Sequence, residues 1–335
     1  MKRKRQSGFT LIEVMVALVV FLAVSSIVMS GMTQMMQTQA MVGNRTAMHT
    51  SVRSATELLQ QEIGQAGKIS LPAAVTPVTM TGPILVVAGA APVAQTAVVS
   101  STTNMFPTML LDIDAGQNFE VVTVTAVTAT TITAIFTKSH GTGAVPIVPV
   151  QVSGSFGTGI VPPKAGLPCA TAGYTGFPGP GTGSDCNKLK LYGDINGDGN
   201  IIYVEYTCDN TTNPGFLYRN EVDNAIVVGT VAPAVNASMY LLNNVRPNPD
   251  GSGCFTYQVQ NAVVNGVATP FVTDVAVTLT VQTQMKDLRT KQFQLETKAL
   301  LNITPRNVFY VWEATSLGEV PRNQLMPANI TSLLQ

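Results

Sequence analysis

Charged residues are scarce in this sequence, and their formal charges cancel. Only 11% of the 335 residues are Asp, Glu, Lys or Arg, with 19 basic and 19 acidic side chains. Binding to nucleic acid requires a basic surface, whereas the basic residues here are clustered at positions 2 to 5 and form no patch later in the chain. The composition therefore argues against a nucleic-acid-binding protein.

Histidine, the commonest general base and metal ligand, occurs only twice. His49 falls in a predicted helix, and His140 falls in a turn rich in Thr and Gly. Neither belongs to a recognisable nucleophile or metal-binding pattern. We expect both to be solvated surface residues, and we expect that the protein is not an enzyme.

Proline is missing between Phe9 and Ser70, so no residue in that stretch forces a helix to end. The second part of this stretch has apolar residues every three or four positions, which form one stripe along a helix. The stripe consists of Val52, Ala55, Leu59, Ile63 and Ala66, and Glu62 lies off it. Gly67 and Pro72 are typical stop signals. We predict one helix over roughly residues 9 to 66, about 85 Å long at the standard rise.

The first part of this helix is a long apolar segment. The 21 residues from Phe9 to Met29 contain one charged residue, Glu13, and as a helix they span about 31 Å, the hydrocarbon thickness of a bilayer. The Lys/Arg run at 2 to 5 favours the cytoplasmic side. The small residues Ser7 and Gly8 precede the apolar segment, whereas a secretory signal has its cleavage site after it. The sequence therefore predicts a transmembrane helix that signal peptidase does not remove.

Glu13 is the anomaly in this segment. An acidic residue at the centre of a membrane helix costs about 2.5 to 3.5 kcal/mol on insertion scales, so a partner is expected. The alternative is that the helix is an ordinary single-span membrane anchor. Glu13 is only one turn into the apolar segment, so its side chain could then extend back to the lipid headgroups.

The basic start followed by Gly8-Phe9-Thr10-Leu11-Ile12-Glu13 resembles the class III leader of type IV pilins and type II secretion pseudopilins. In that family a prepilin peptidase cuts after the glycine and methylates the new N-terminus, which implies Gly8 and Phe9 as the processing residues. Glu13 is then the fifth residue of the mature chain, as the family pattern requires. The resemblance implies that Glu13 pairs with the α-amino group of Phe9 on a neighbouring subunit, so Phe9 and Glu13 are assembly residues.

All four cysteines follow the membrane segment and would lie outside the cytoplasm, where disulfides persist. They are Cys169, Cys186, Cys208 and Cys254. Four cysteines allow three pairings, and the short 169 to 186 loop favours Cys169–Cys186 with Cys208–Cys254. Zinc is the alternative, although the spacings are long and no histidine accompanies them.

The rest of the chain is rich in Val, Thr, Pro and Gly, which favours strands and turns. Residues 119–127 and 131–136 read as a hairpin, and residues 275–281 and 293–301 read as a second hairpin with one buried face. Residues 154–183 read as a long loop. The predicted fold is α+β: a long N-terminal helix, transmembrane in its first half and amphipathic in its second, packed on an antiparallel sheet as in pilins, with large β and loop insertions.

These patterns divide the chain into four predicted parts. Residues 1–8 are the leader peptide, and residues 9–30 are the transmembrane and filament-core helix. Residues 31–67 are the amphipathic helix that packs on the head. Residues 68–335 form a β-rich periplasmic or extracellular head.

One segment fits the calcium-loop pattern D-x-[DN]-x-[DN]-G-x5-E. Its candidate ligands are Asp194, Asn196, Asp198, Asn200 and Glu205. Oxygen ligands on alternate residues suit Ca²⁺, and Gly199 permits the sharp turn. Strands are predicted on both sides, however, so Glu205 reaches the ion only if the chain curls. The alternative is a plain hairpin turn in which the Asx side chains bond the backbone. A bound Ca²⁺ would be structural.

Residues 293–302 resemble the closing strand of PilW-like and J-type minor pilins, and the chain as a whole is most like a PilW-type minor pilin. It implies a prepilin stored in the inner membrane with its head in the periplasm, cleaved by prepilin peptidase, and incorporated with other minor pilins and the major pilin at or near the tip to prime pilus assembly. Two alternatives are a J-type minor pseudopilin of a type II secretion system and a pilus-tip adhesin or DNA-uptake subunit. No nucleic-acid partner is expected from the composition.

Overall fold

The computed structural model describes residues 8–68, 78–103, 105–141, 150–154, 157–174, 184–199, 201–223, 239–264 and 267–318. The basic leader residues 1–7, the candidate ligand Asn200 and part of the predicted 154–183 loop lie outside the described residues. The chain divides into two compact units. One comprises residues 1–51 with 282–295, and the other comprises residues 52–281 with 296–335.

A single helix, α1 (Leu11–Gln65), forms the N-terminal part of the chain and confirms the predicted long helix. It continues without a break through Ser30 and Gly31, because neither residue removes a backbone donor. The chain leaves the helix at Gly67, whose φ of +82° lies in the left-handed region that favours glycine. A Cβ at Gly67 would also lie 2.6 Å from the carbonyl oxygen of Gly157, so only glycine fits this end.

Thirteen strands and a second helix are described after α1. The first six strands are β1 (Thr79–Met80), β2 (Ala94–Val98), β3 (Leu110–Ile113), β4 (Glu120–Val127), β5 (Thr131–Ile135) and β6 (Val150–Gly154). The next seven are β7 (Lys188–Gly193), β8 (Ile202–Asp209), β9 (Gly215–Asp223), β10 (Tyr240–Arg246), β11 (Phe255–Val264), β12 (Val267–Gln282) and β13 (Leu295–Ile303). The last element described is α2 (Arg306–Ser316).

The strands form two antiparallel sheets. The six-stranded sheet has the order β1-β6-β3-β4-β5-β2. The seven-stranded sheet has the order β11-β12-β10-β9-β8-β7, and β13 pairs with β12. A long helix followed by antiparallel sheets is the α+β fold that the sequence predicts.

Both predicted hairpins form, but the second buries less than expected. β4 and β5 pair antiparallel, with Val124 opposite Ala134. In β12 the alternate residues 275, 277, 279 and 281 are all buried, as predicted. On the partner side, Phe293 and Leu295 are 39% and 63% exposed, so the prediction of a buried face is wrong there. Phe293 lies in the connection before β13 and Leu295 is the first residue of β13, so both lie at the end of the hairpin and not in the middle of the sheet.

The apolar stripe of α1 lies in the core of the larger unit, as its spacing predicts. Val52, Ala55, Leu59, Ile63 and Ala66 are each at most 2% exposed. Burial of a Val, Leu or Ile side chain contributes about 1.5 to 3 kcal/mol. The hydrophobic stripe therefore supplies the largest share of the contact that holds this end of α1.

Glu62, predicted to lie off the stripe, is also buried. The guanidinium of Arg219 on β9 donates to its carboxylate through Nε and Nη2, at 2.9 and 2.7 Å to Oε1. The Tyr206 hydroxyl on β8 donates to Oε2 at 2.5 Å. Sequence periodicity could not reveal this role, because the partners are more than 140 residues away.

The charges of this cluster are matched. Burial opposes the charge on Arg219, but its bonds to Glu62 and Glu221 outweigh burial and raise the pKa of the guanidinium. Burial and the neighbouring Glu62 together raise the pKa of the Tyr206 hydroxyl, which therefore keeps the proton it donates. Removing one partner of such a buried pair leaves an uncompensated charge.

The prediction that His140 is a surface residue is wrong: its side chain is fully buried, although His49 is exposed as predicted. Its Nε2 lies 2.6 Å from Glu120 Oε1, and its Nδ1 lies 3.2 Å from Asp114 Oδ2. An isolated antiparallel backbone bridge joins His140 to Ile84. Burial of Glu120 opposes its ionisation, but hydrogen bonds from Thr137, His140 and Lys138 outweigh burial and lower the pKa of the carboxyl.

We expect Glu62→Ala to lower the free energy of unfolding by about 3 kcal/mol, because it removes the main partner of the partly buried Arg219 guanidinium and leaves Glu221 as its remaining partner. Glu57→Ala is the matched control on the same helix. Glu57 pairs with Arg53 at the surface, where the two side chains are 62% and 78% exposed, and such a pair contributes less than about 0.5 kcal/mol. Denaturant unfolding of the detergent-solubilised protein measures both; equal losses would contradict the prediction.

Candidate functional site: the N-terminal processing and assembly segment

The Gly8–Phe9 bond lies ahead of the helix and is accessible. Residues 8 to 10 have no regular secondary structure, and α1 begins at Leu11. Phe9 is 88% exposed. A Cβ built at Gly8 would meet no atom within 4 Å. A peptidase can therefore reach this bond without unfolding any described part of the chain.

Glu13 closes the first turn of α1 with Thr10. The Thr10 amide and hydroxyl donate to Glu13 Oε2 at 2.9 and 2.8 Å, and the Glu13 amide donates to Thr10 Oγ1 at 3.4 Å. This reciprocal pattern is a capping box, which satisfies backbone donors at the start of a helix. Thr10 supplies hydrogen bonds but no positive charge, so the charge on Glu13 is not neutralised by this partner.

The following turns of α1 present apolar side chains on every face, and the chain does not cover them. None of the most apolar 18-residue window of α1 is buried, and its mean hydropathy is 2.7. Among the described residues, α1 is the one helix long and apolar enough to cross a membrane. Large side chains from Leu11 to Met29 are each more than half exposed. Exposure of this extent in water is unfavourable, so lipid or other helices must cover the segment.

The candidate calcium ligands do not assemble as one set. Asp194, Asn196 and Asp198 share the turn after β7. Asn196 Nδ2 donates to Asp198 Oδ2 at 2.8 Å, and the Gly199 amide donates to Asp194 Oδ1 at 3.1 Å. Asn200 lies outside the described residues. The described part of the chain contains no group of three or more His, Cys, Asp or Glu residues arranged to hold a metal ion.

Two observations bear on the predicted ligand set. The Lys68 ammonium lies 2.8 Å from Asp194 Oδ2, so a protein cation already compensates this buried carboxylate. Glu205 lies within β8, three residues past the point where Ile202 pairs with Gly193, which is about 10 Å along the strand. Its carboxylate instead accepts a hydrogen bond from the Tyr203 hydroxyl at 2.8 Å. β8 thus stays extended at Glu205, and calcium binding by the full ligand set stays a prediction.

The four cysteines form two disulfides. Cys169 is joined to Cys186 and Cys208 to Cys254, the pairing that the short first loop favours. The two closed loops span 17 and 46 residues, and loop-closure entropy assigns them about 3 and 4 kcal/mol of stabilisation. The second bridge connects β8 to the start of β11. Disulfides of this kind are typical of proteins outside the cytoplasm.

Comparison with known proteins identifies the N-terminal segment. A family model described as the prokaryotic N-terminal methylation motif matches residues 3–31. No curated protein and no solved structure shows significant similarity to the chain. Residues 3–31 therefore carry an N-terminal methylation motif like that of the class III leaders of type IV pilins and pseudopilins. The match does not extend to the β-rich part of the chain.

We expect Gly8→Val to block cleavage without disturbing the fold. An added side chain at this position meets no other atom of the chain, so a loss of processing would come from the peptidase's requirement for glycine. Immunoblots of cells that express the peptidase should show only the longer form of the variant, while Ser7→Val is processed normally as a control. Efficient cleavage of Gly8→Val would contradict the assignment of the scissile bond.

We expect calcium to bind this turn weakly, with a dissociation constant on the order of 10⁻³ M, because few carboxylates are available and Lys68 competes for one of them. Thermal unfolding with added Ca²⁺ should show a small rise in midpoint that Asp194→Asn abolishes and Glu205→Gln preserves. A loss of the calcium response in Glu205→Gln would restore Glu205 as a ligand.

Proposed function

We propose that this chain is a minor pilin of a type IV pilus, stored in the inner membrane, cut after Gly8, methylated at Phe9 and incorporated at or near the filament tip to prime assembly. The observation that carries the proposal is the combination of an accessible processing site with an apolar helix that the rest of the chain leaves uncovered. Before assembly the bilayer covers this helix. After assembly the helices of other subunits do.

Glu13 sets the axial position of each helix relative to its neighbour in the assembled pilus. In the single chain its hydrogen bonds come from Thr10, yet a carboxylate in an apolar environment is stabilised most by a cation. Cleavage creates such a cation, the α-amino group of Phe9. On a neighbouring subunit this group neutralises Glu13 and fixes the axial position of one helix against the next.

The size and composition of the larger unit support a position at the tip. It contains two sheets and two disulfides, so it is larger than a single sheet packed on the helix. A subunit within the shaft is surrounded by the heads of its neighbours, so a bulky head is disfavoured there. A subunit at the tip has neighbours on one side only and can carry such a head.

The same leader and helix would serve a J-type minor pseudopilin of a type II secretion system. Deletion of the gene distinguishes the two roles. Loss of pili and of twitching with normal secretion supports the pilus, whereas loss of protein secretion with normal pili supports the pseudopilin.

A tip adhesin is a further candidate, favoured by one surface of the six-stranded sheet. Its edge strand β2 and neighbouring β5 expose Val98 and Ile135, and the segment before β2 exposes Leu85, Val87 and Val93. Exposed apolar side chains at a sheet edge are candidates for binding another surface. A deletion strain whose pili assemble normally but no longer attach to a surface would support adhesion over priming.

We expect Glu13→Gln to be processed normally but incorporated into pili at least tenfold less, because the side chain keeps its shape and loses its charge. A tenfold loss corresponds to about 1.4 kcal/mol per subunit. Thr10→Ala is the matched control: it removes the capping hydroxyl, at a cost of about 1 kcal/mol to the helix start, but retains the charge and should incorporate nearly as well as wild type. Quantitative immunoblots of sheared pili measure both. Wild-type incorporation of Glu13→Gln would count against the proposal.

A further inference from the structure

The tip of the β12–β13 hairpin, residues 282–295, packs on the membrane-proximal part of α1 within the smaller unit. Asn44 Nδ2 donates to the carbonyl oxygen of Met285 at 2.8 Å, and Arg45 Nε donates to Gln294 Oε1. Leu288 lines the groove beside Met41. The hairpin tip is thereby held against one face of the helix, and it is closed by the Thr283 amide, which donates to the Gln294 carbonyl at 2.9 Å.

The position of the hairpin tip along α1 places it near the membrane surface. Leu288 and Arg289 lie beside Gln34 and Met41, which follow the last apolar residue, Met29, by about 8 and 18 Å at the standard helical rise. Headgroups extend roughly 5 to 8 Å beyond the hydrocarbon, and a typical tilt of about 20° shortens the distance to the bilayer. The lowest residues of the hairpin tip are therefore at the level of the lipid headgroups.

The hairpin tip exposes cations and turns its one acidic side chain inward. Lys286, Arg289 and Lys291 are exposed, whereas Asp287 is buried. The Asp287 carboxylate accepts hydrogen bonds from the amide of Arg289 at 2.7 Å and from the amide of Thr290 at 3.1 Å. Its charge is used to hold the turn, which leaves the outer surface of the tip cationic.

Apolar side chains stand among these cations. Met285 and Leu288 are 60% and 50% exposed, and Phe293 lies under the Lys286 ammonium, 5.4 Å from the ring centroid. Between Glu13 and Glu57 the sequence of α1 contains no acidic residue. In this hairpin tip the exposed apolar groups have cations around them, and the one carboxylate, that of Asp287, is buried. This is the pattern of segments that lie on anionic bilayers.

We propose that the hairpin tip is a second membrane contact, docking on the anionic phospholipid headgroups of the periplasmic leaflet while the subunit is stored in the membrane. It fixes the hairpin and the helix together against the lipid surface before the subunit is extracted into a filament. This inference rests on the proposed function only in requiring that α1 spans the membrane. The rival occupant, the helix of a neighbouring subunit, is separated by the experiment below.

A tryptophan placed in the hairpin tip reports contact with lipid. The full-length prepilin contains one tryptophan, Trp312, so Leu288→Trp in a Trp312→Phe background carries a single probe. The variant is reconstituted into vesicles that contain phosphatidylglycerol and a headgroup spin-labelled lipid. We expect quenching of its fluorescence, weaker quenching in vesicles of phosphatidylcholine alone, and weaker quenching at high salt, since salt screens the cations.

A second tryptophan variant, placed in the membrane-spanning part of α1, shows whether the helix spans the bilayer. It separates failure of the hairpin contact from failure of the proposed function. Leu18→Trp in the same background should be quenched by lipids labelled deep in their chains. Quenching of Leu18→Trp without quenching of Leu288→Trp overturns the hairpin contact and leaves the span intact. Absence of both overturns the span and the contact together. An unquenched Leu288→Trp that crosslinks to a second subunit assigns this surface to subunit packing and also overturns the inference.

A charge series tests the electrostatic part. Each basic residue near an anionic surface strengthens binding about fivefold, so Arg289→Gln with Lys291→Gln should lower the ratio of docked to undocked hairpin about 25-fold. Lys298→Gln with Arg306→Gln removes the same charge from exposed positions outside the hairpin tip and is the matched control. Equal quenching in the two double variants would contradict the proposal.

Discussion

An apolar helix that the chain cannot cover is the constraint on which the rest of the structure depends. From Leu11 to Met29 the side chains of α1 face outward on all sides, and no part of the most apolar window is buried. Such a segment has two stable environments, a bilayer or a bundle of similar helices. Under the proposed function, the leader at its start supplies the means to pass from one environment to the other, because cleavage after Gly8 would create a new charged terminus at Phe9.

At the C-terminal end of the same helix, in contrast, the apolar side chains are buried by the rest of the chain. There the helix is held by a buried stripe, by the Glu62–Arg219 pair and by a terminal glycine. The disulfides and the Lys68–Asp194 pair stabilise the sheet-bearing unit. The uncovered apolar segment and the buried contacts that stabilise the fold thus lie at opposite ends of α1.

Features governed by local sequence were predictable, and those governed by distant contacts were not. The helix, its buried stripe, the 119–136 hairpin and the leader follow from periodicity, turn residues and a short motif. His140, which the sequence places at the surface, and Glu62, which it places off the stripe, are both polar groups in the interior. Their partners are at least 20 residues away along the chain, so their burial could not be predicted from the pattern around them.

The most direct test is mass spectrometry of the N-terminal peptide of the native protein recovered from cells with intact pili. The account predicts a mature chain that starts at Phe9, with a methyl group on its α-amino nitrogen and Glu13 unmodified. A chain that retains Met1, or one cut elsewhere in the apolar segment, would contradict it.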